Sequence, residues 1–367
     1  GDEFAILLEG MLRAEDALTV VERITAAMRR PVTLETREVL VGASIGVAYV
    51  RPGQGVDELL RNADLAMYRA KAGGKGRHEV FEPAMHAALL ARLELEADLR
   101  QAVERHEFRL VYQPIVELTS GQVTGVEALV RWEHPRHGLI SPAKFIPLAE
   151  EMGLIIPLGR WVLKEACRQL RQWQLGALGE STPTVSVNLS GRQLQNSALL
   201  DDVGAVLAET QILPDRLILE ITESVIMQDT EATLQKLHAL KALGVRLAID
   251  DFGTGYSSLS YLQRFPIDVL KIDKAFVDRV ARGGSDAALA RTIIALADML
   301  KLRTVAEGVE RAEQRTQLLA LGCELGQGYL FAKPLTAADM DTLLAMQGDR
   351  LREAVAPASG TLRTDGT

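Results

Sequence analysis

The chain has 367 residues, 47% of them hydrophobic and 25% charged, with a formal net charge of -8. That length allows two domains and a large core, and the acidic balance excludes a protein whose main work is to grip polymeric nucleic acid through its phosphates. Cys167 and Cys323 are too few and too far apart for a disulfide framework, and no run approaches the roughly 18 apolar residues of a membrane span. A reducing, cytoplasmic setting is expected, with any membrane anchor or sensor lying upstream of Gly1. The opening GDEFAILLEG lacks Met and runs straight into an apolar stretch, so the chain is expected to begin inside a domain. Residues 1–83 read as an incomplete α/β unit, with a strand over Phe4–Leu8, a helix over Asp16–Arg30, strands over Val32–Leu34 and Val39–Val50, and a helix over Val56–Ala72 that the glycines of KAGGKGR break. Residues 84–104, AMHAALLARLELEADLRQAVE, carry Leu89, Leu93 and Leu99 among charges with no Gly or Pro, and read as a connecting helix.

Beyond that helix the rhythm changes. Short segments rich in Val, Ile and Leu alternate with helical ones: FRLVYQPIVEL, GVEALVRW, TVSVNLS, RLILEITES, VRLAIDDF, DVLKID, RTVAEGVE and GQGYLFAKP. The helix Thr230–Leu243 places Leu234, Leu237, Leu240 and Leu243 on one side and ends at Gly244, and Ser285 fits the N-cap of another. Strands alternating with helices over about 250 residues predict a (β/α)8 TIM-type barrel, with a doubly wound open sheet as the competing architecture. The first two strands lack an intervening helix, so one of them is expected to run antiparallel to the rest. Residues 346–367 lose apolar periodicity and read as a flexible tail.

Polar residues gather where these strands finish: Glu127, Asn188, Glu220, Asp250 with Asp251, Lys271 with Asp273, and Glu307. A single acid in such a place reads as a helix cap or a solvated rim residue, but in a parallel barrel all of these reach the rim where barrel enzymes place their active sites. Asp251 keeps the cap reading open, because neighbours on a strand face opposite ways unless the strand has ended. Glu127, Glu220, Glu223, Asp250, Asp251, Asp273 and Glu307 outnumber Lys271 and Arg131, a surplus that a bound cation relieves. Carboxylates with an Asn carbonyl, and no Cys or His pair, suit Mg²⁺ or Mn²⁺. Acids on adjacent strands are suited to hold two ions roughly 4 Å apart, as in hydrolysis at phosphorus. Lys271 is expected to orient water or offset charge, and Arg131 to bind a phosphate or form a surface ion pair. The glycines of DFGTGYSSL suggest a loop that moves or approaches a ligand closely.

Residues 89–345 resemble the EAL family of barrel phosphodiesterases, which linearise cyclic di-GMP. The motifs are YQPIV at 112–116, EALVRW at 127–132, SVNLS at 186–190, EITES at 220–224, AIDDFGTGYSSL at 248–259, LKID at 270–273, AEGVE at 306–310 and GQGYLFAKP at 326–334. The resemblance implies metal ligands at Glu127, Asn188, Glu220, Asp250 and Asp251, with Lys271 and Glu307 completing the catalytic set. It implies substrate contacts at Gln113, Leu129, Arg131 and Gln327, to which Asp273 is added, and a loop anchor at Glu223. It further implies a Mg²⁺- or Mn²⁺-dependent, Ca²⁺-inhibited enzyme that yields linear pGpG, with a mobile loop over Asp251–Leu259 near a homodimer contact. Residues 1–82 resemble the C-terminal half of a GGDEF diguanylate cyclase domain, through GDEF, GASIGVA at 42–48 and LLRNADLAMYRAKAGGKGR with Lys71 and Arg77. No cyclase activity is expected of this chain, because the first metal-binding strand, the phosphate loop and the guanine-binding region of that domain are absent from it. Two rival readings are a receptor that binds cyclic di-GMP without cutting it and an unrelated metal-dependent barrel enzyme. A third places the chain as the hydrolase half of a bifunctional parent.

Overall fold

The helices Ala14–Met28 and Val56–Ala72 organise the first of two units, Gly1–Asp98 and Leu99–Thr367, in the computed structural model. The structure describes residues 2–11, 13–34, 37–176, 182–227, 230–253, 262–280 and 287–355. The expected Ser285 cap, residues 254–259 of the glycine loop and residues 356–367 of the tail lie outside them.

In the first unit the Asp16 carboxylate accepts the Arg13 backbone N–H at 3.1 Å and closes the start of the first helix. Leu65 and Ala66 of the second helix pack with Met85, and Phe81 and Leu89 lean on that cluster. β1 (Val32–Leu34) pairs antiparallel with β2 (Arg37–Val39), while β3 (Ile45–Val47) pairs parallel with β4 (His78–Val80). A Cβ on Gly46 would sit 1.9 Å from the Ala63 carbonyl oxygen, so the second helix lies directly on β3. Two expectations fail here. Val39–Val50 is two strands, because its ends pair with different partners. Phe4–Leu8 forms no strand: no described strand pairs with it, its backbone lacks a ladder, and Phe4 stands 89% exposed.

The helix Ala84–Ala102 carries the chain into the second unit. There β5 (Phe108–Glu117), β6 (Val123–His134), β7 (Gly138–Ile140), β8 (Thr184–Asn188), β9 (Leu217–Thr222), β10 (Arg246–Phe252), β11 (Val269–Ile272), β12 (Arg303–Ala306) and β13 (Leu325–Gln327) form one sheet. Its order is β5-β13-β12-β11-β10-β9-β8-β6-β7, and β5 also pairs with β6, closing an eight-stranded barrel. β5 runs antiparallel to both neighbours, β6 and β13, whereas the remaining barrel pairings are parallel. β7 forms a hairpin with the end of β6, and Pro135 with Gly138, at φ +64°, is the turn signal for it. Helices cover the barrel with apolar stripes: Leu158, Val162, Ala166, Leu170 and Trp173 are buried along Ile155–Leu175, and Leu237 and Leu240 along Thr230–Ala242. Gly244, at φ +90°, turns the chain out of the latter helix. The expectation of a tail from residue 346 needs correction, since Ala337–Val355 is one helix; the charged run GDRLRE has helix-forming residues though it lacks an apolar stripe.

Ile115, Ile218, Ala248, Val269, Val305 and Leu325 fill the barrel as one apolar layer. Side chains on a strand repeat inward every second residue. Two residues further along the parallel strands therefore come Glu220, Asp250, Lys271, Glu307 and Gln327, and two residues earlier on the antiparallel β5 comes Gln113. The polar residues at the rim are the next layer of the same stack.

Candidate active site at the barrel mouth

Lys271 occupies the middle of that layer, with only 1% of its surface exposed. Its ammonium donates to Glu220 Oε2 at 2.6 Å and lies 2.6 Å from Glu307 Oε1, 3.2 Å from Asp250 Oδ1 and 3.6 Å from Glu127 Oε2. Four carboxylates thus face one ammonium. Burial disfavours the charged lysine, but Glu127, Glu220, Glu307 and Asp250 outweigh it and hold its pKa well above the ordinary lysine range. Burial also pushes Glu220 well up; Lys271 opposes this, while Glu127 and Asp250 add to it. Glu307 is raised to about 8 by burial, against the pull of Lys271 and with the push of Asp250 and Glu127. One buried lysine cannot neutralise four carboxylates, which leaves the layer with a surplus of negative charge.

Glu127 is held on both oxygens. Asn188 Nδ2 donates to Oε1 at 2.7 Å and Gln327 Nε2 to Oε2 at 2.6 Å. The same Gln327 nitrogen donates to Gln113 Oε1 at 3.0 Å, and Gln113 Nε2 donates to the Ala332 carbonyl at 3.3 Å. Leu129 and Arg131 follow Glu127 at two-residue steps on β6, so they line the same inner face toward the mouth. The Arg131 guanidinium donates to the Val130 carbonyl at 2.9 Å, and among the acids around Lys271 it feels the charge of Glu127. Burial lowers its pKa, with Tyr329 and Glu127 opposing. Tyr329, 58% exposed, is a neighbour that the sequence alone does not single out. Its place two residues after Gln327 is the available signal.

Asp251 resolves the question raised by two adjacent aspartates. The pairing of β10 with β11 shifts register between Ile249 and Phe252, and Asp251 takes a left-handed φ of +54°, a conformation that Asp tolerates better than most residues. The irregularity lets both neighbours serve one site: carboxylate oxygens of Asp250, Asp251 and Glu307 lie within 4.8 Å of one another. Burial, with Asp250 and Asp273 nearby, raises Asp251 to about 6. Asp273 also accepts the Ala275 backbone N–H at 2.8 Å and so caps the helix Lys274–Val280. Glu223, buried beyond the end of β9, accepts the Gly253 N–H at 2.7 Å and ties the start of the glycine loop to its neighbour.

The donor set fits a hard divalent cation. It is made of carboxylates with one amide, it carries excess negative charge, and three of its acids already converge. A pH dependence follows. Glu307 and Asp251 hold protons in the fold that they release more readily when unfolded, so their contribution to stability is complete below the ordinary carboxylate range and is lost as pH rises through about 6 and then about 8. Without divalent ions the protein is expected to melt at lower temperature near pH ~8.5 than near pH ~5.5, and Mg²⁺ should raise Tm more at the higher pH. Thermal melts with EDTA or Mg²⁺ at both pH values check this. Equal Mg²⁺-induced shifts would count against the acidic layer as the cation site.

Residues 96–334 match the EAL domain family and residues 1–77 the diguanylate cyclase GGDEF domain family. The chain is 47% identical over 341 residues to the bifunctional diguanylate cyclase/cyclic di-GMP phosphodiesterase MucR of Pseudomonas aeruginosa, covering 93% of this chain and 49% of that protein. It is 41% identical over 345 residues to the cyclic di-GMP phosphodiesterase NbdA of the same organism, covering 94% of this chain and 44% of that protein. The chain thus spans about half the length of these relatives. Among solved structures, the PaMucR phosphodiesterase in complex with c-di-GMP is 49% identical, with a TM-score of 0.65, covering 67% of this chain and 99% of that one. No described helix is long and apolar enough to cross a membrane. An eight-stranded barrel, a layer of acids around a buried lysine at its mouth and a match over residues 96–334 establish that the chain belongs to the EAL domain family, with part of a GGDEF domain ahead of it.

Proposed function

We propose that this chain hydrolyses cyclic di-GMP to linear pGpG in a Mg²⁺- or Mn²⁺-dependent reaction. The observation that carries the reading is the complete polar layer: Glu127, Asn188, Glu220, Asp250, Asp251, Lys271, Glu307 and Gln327 stand together at one end of the barrel, and no acid or amide of the set is replaced. Glu127, Asn188, Glu220, Asp250 and Asp251 would hold the metal, with two ions suiting so many acids. When bound, the metal supplies Lewis acidity toward a phosphoryl oxygen and lowers the pKa of water. Gln113, Leu129, Gln327 and Asp273 shape the bed for the nucleotide. The Arg131 fork pairs with a phosphate.

Lys271 keeps its proton because its acidic neighbours outweigh burial, and it directs N–H groups toward the reacting centre, where negative charge builds on phosphorus-bound oxygens. Glu307, outside the proposed ligand set and with its pKa raised by burial to about 8, is placed to take the proton that water loses as its oxygen bonds to phosphorus, and a proton returns to the ribose oxygen as its bond to phosphorus breaks. Glu223 holds Gly253, two residues beyond Asp251, through its backbone N–H. The Glu223→Ala variant should therefore lose about 10-fold to 100-fold in turnover while Glu223→Gln, which keeps a carbonyl acceptor for Gly253, loses less. Steady-state kinetics on both variants check this, and equal losses would remove the anchoring role.

The direct test is incubation with cyclic di-GMP and Mg²⁺, with pGpG followed by chromatography and EDTA as control. Metal-dependent conversion supports the reading, and binding without conversion would identify a receptor instead. A homodimer is the proposed assembly, to be read from light scattering with and without cyclic di-GMP.

A further inference from the structure

Two loops meet at the barrel mouth: residues 307–310, which begin with Glu307, and residues 327–330, which begin with Gln327. Val309 N donates to the Gln327 carbonyl at 3.0 Å and Leu330 N to the Val309 carbonyl at 2.9 Å. Gly328 lies between those two bonds. A Cβ built on it would stand 2.1 Å from Val309 O, 2.3 Å from Val309 N and 2.7 Å from Val309 C. All three are backbone atoms, so no rotamer change relieves the overlap and one of the loops has to give way. Val309 itself is fully buried.

The other side of the Glu307 loop is fastened as tightly. Glu307 N donates to the Ile272 carbonyl at 3.0 Å. Lys274 crosses Gly308, where a Cβ would meet Lys274 Cγ at 2.4 Å, and its ammonium reaches Glu310 Oε1 at 2.7 Å. Gln314 Oε1 accepts the backbone N–H groups of Glu310 and Arg311, each at 2.8 Å. With its far side fixed, the loop takes its remaining position from Gly328. Gln327, next to Gly328, is in turn bonded to Glu127.

We propose that Gly328 is a positioning residue for the reaction, the bare backbone contact that sets Glu307 against Lys271, Asp250 and Asp251 while Gln327 holds Glu127. The inference rests on the hydrolase reading for its kinetic consequence and on the acidic trio alone for its effect on cation binding. Any side chain at 328 separates the two loops, and a displacement of about 1 Å at a reacting group costs on the order of 100-fold in rate.

The test is a double-mutant cycle of Gly328→Ala with Glu307→Ala. Gly322→Ala is the control: Gly322 has φ +87°, no atom lies within 4 Å of the place its Cβ would take, and it precedes β13 at the end away from the mouth, so it carries backbone strain without the contact. Two readouts are taken on each protein, turnover of cyclic di-GMP and Mn²⁺ affinity by electron paramagnetic resonance. Gly328→Ala is expected to lose about 100-fold in kcat and about 10-fold in Mn²⁺ affinity and to melt at a lower temperature than Gly322→Ala, which has no such overlap and keeps both functions. In the Glu307→Ala background the same change should cost less than about 3-fold in either readout. An undiminished loss in that background, or parental kcat and Mn²⁺ affinity in Gly328→Ala, would overturn the proposal. Should Gly328→Ala fail to fold, Val309→Ala is put through the same cycle, with a smaller loss expected that again vanishes without Glu307 and with persistence of that loss as the refuting result. If the parent chain leaves cyclic di-GMP intact, the hydrolase reading fails while the Mn²⁺ cycle still decides the role of Gly328.

Discussion

Lys271→Ala is expected to cut turnover of cyclic di-GMP by about 10³-fold, a loss typical of removing a preorganised charge from a reacting site, while changing substrate affinity far less. Its ammonium is the positive centre for Glu127, Glu220, Asp250 and Glu307, all within 3.6 Å. Removing it leaves buried acids uncompensated. Breaking a buried ion pair in this way costs about 3–5 kcal/mol, which in a domain of this size lowers Tm by on the order of 10 °C. Part of that cost is escaped when Glu220 and Glu307 take up protons, as their raised pKa values already favour. Excess Mg²⁺ should restore Tm and leave kcat low, because a cation can replace the charge but cannot replace the directed N–H groups. Melting curves and steady-state kinetics on one preparation separate the two effects. A variant with near-parental kcat, or one whose main defect is a raised dissociation constant for cyclic di-GMP, would move Lys271 from the reacting centre to substrate holding.

Glu127→Ala has the second large expected effect, about 10³-fold in kcat with a marked loss of Mg²⁺ response. The two Glu127 oxygens connect Asn188 on β8 with Gln327 on β13, so truncation frees two amides as well as removing one proposed ligand. The Gln327 amide keeps its bond to Gln113, and the barrel interior beneath is untouched, so the fold should survive. Glu127→Gln tests the charge separately: it fills the same space, retains one acceptor for two donors, and should still lose most activity. Retention of more than about a tenth of the parental rate by either variant would take Glu127 out of the metal shell.

The barrel was legible in the sequence because its strands and helices each carry their own period, and because β5 and β6 follow each other with no helix between them. The convergence of Glu127, Asn188, Glu220, Asp250, Lys271 and Glu307 was legible for the same reason. A residue's distance from the apolar centre of its strand determines the layer it joins. What could not be read was anything set by a partner distant in the chain. The Gln113–Gln327–Glu127 chain joins residues about two hundred positions apart, and no local pattern marks it. The register shift that lets Asp250 and Asp251 serve one site arises from pairing with β11. Phe4–Leu8 shows the converse error, in which a strand-like composition suggests a strand although a strand also needs a neighbour to bond.

The stacked layers carry a cost that the chemistry makes unavoidable. Every inward position in the upper layer is one that leucine or valine could occupy, extending the oily shaft by a full storey and abolishing the repulsion among Glu127, Glu220, Asp250 and Glu307. Such a barrel would be harder to unfold and inert, since replacing buried charged clusters by well-packed apolar residues is often neutral or stabilising. Selection for rigidity alone would therefore drive this mouth toward an oily plug, and the acids persist only where activity is worth more than robustness. The practical consequence is that stabilised versions of this chain should be sought in the helices and the lower storey, where durability and the proposed catalysis do not compete.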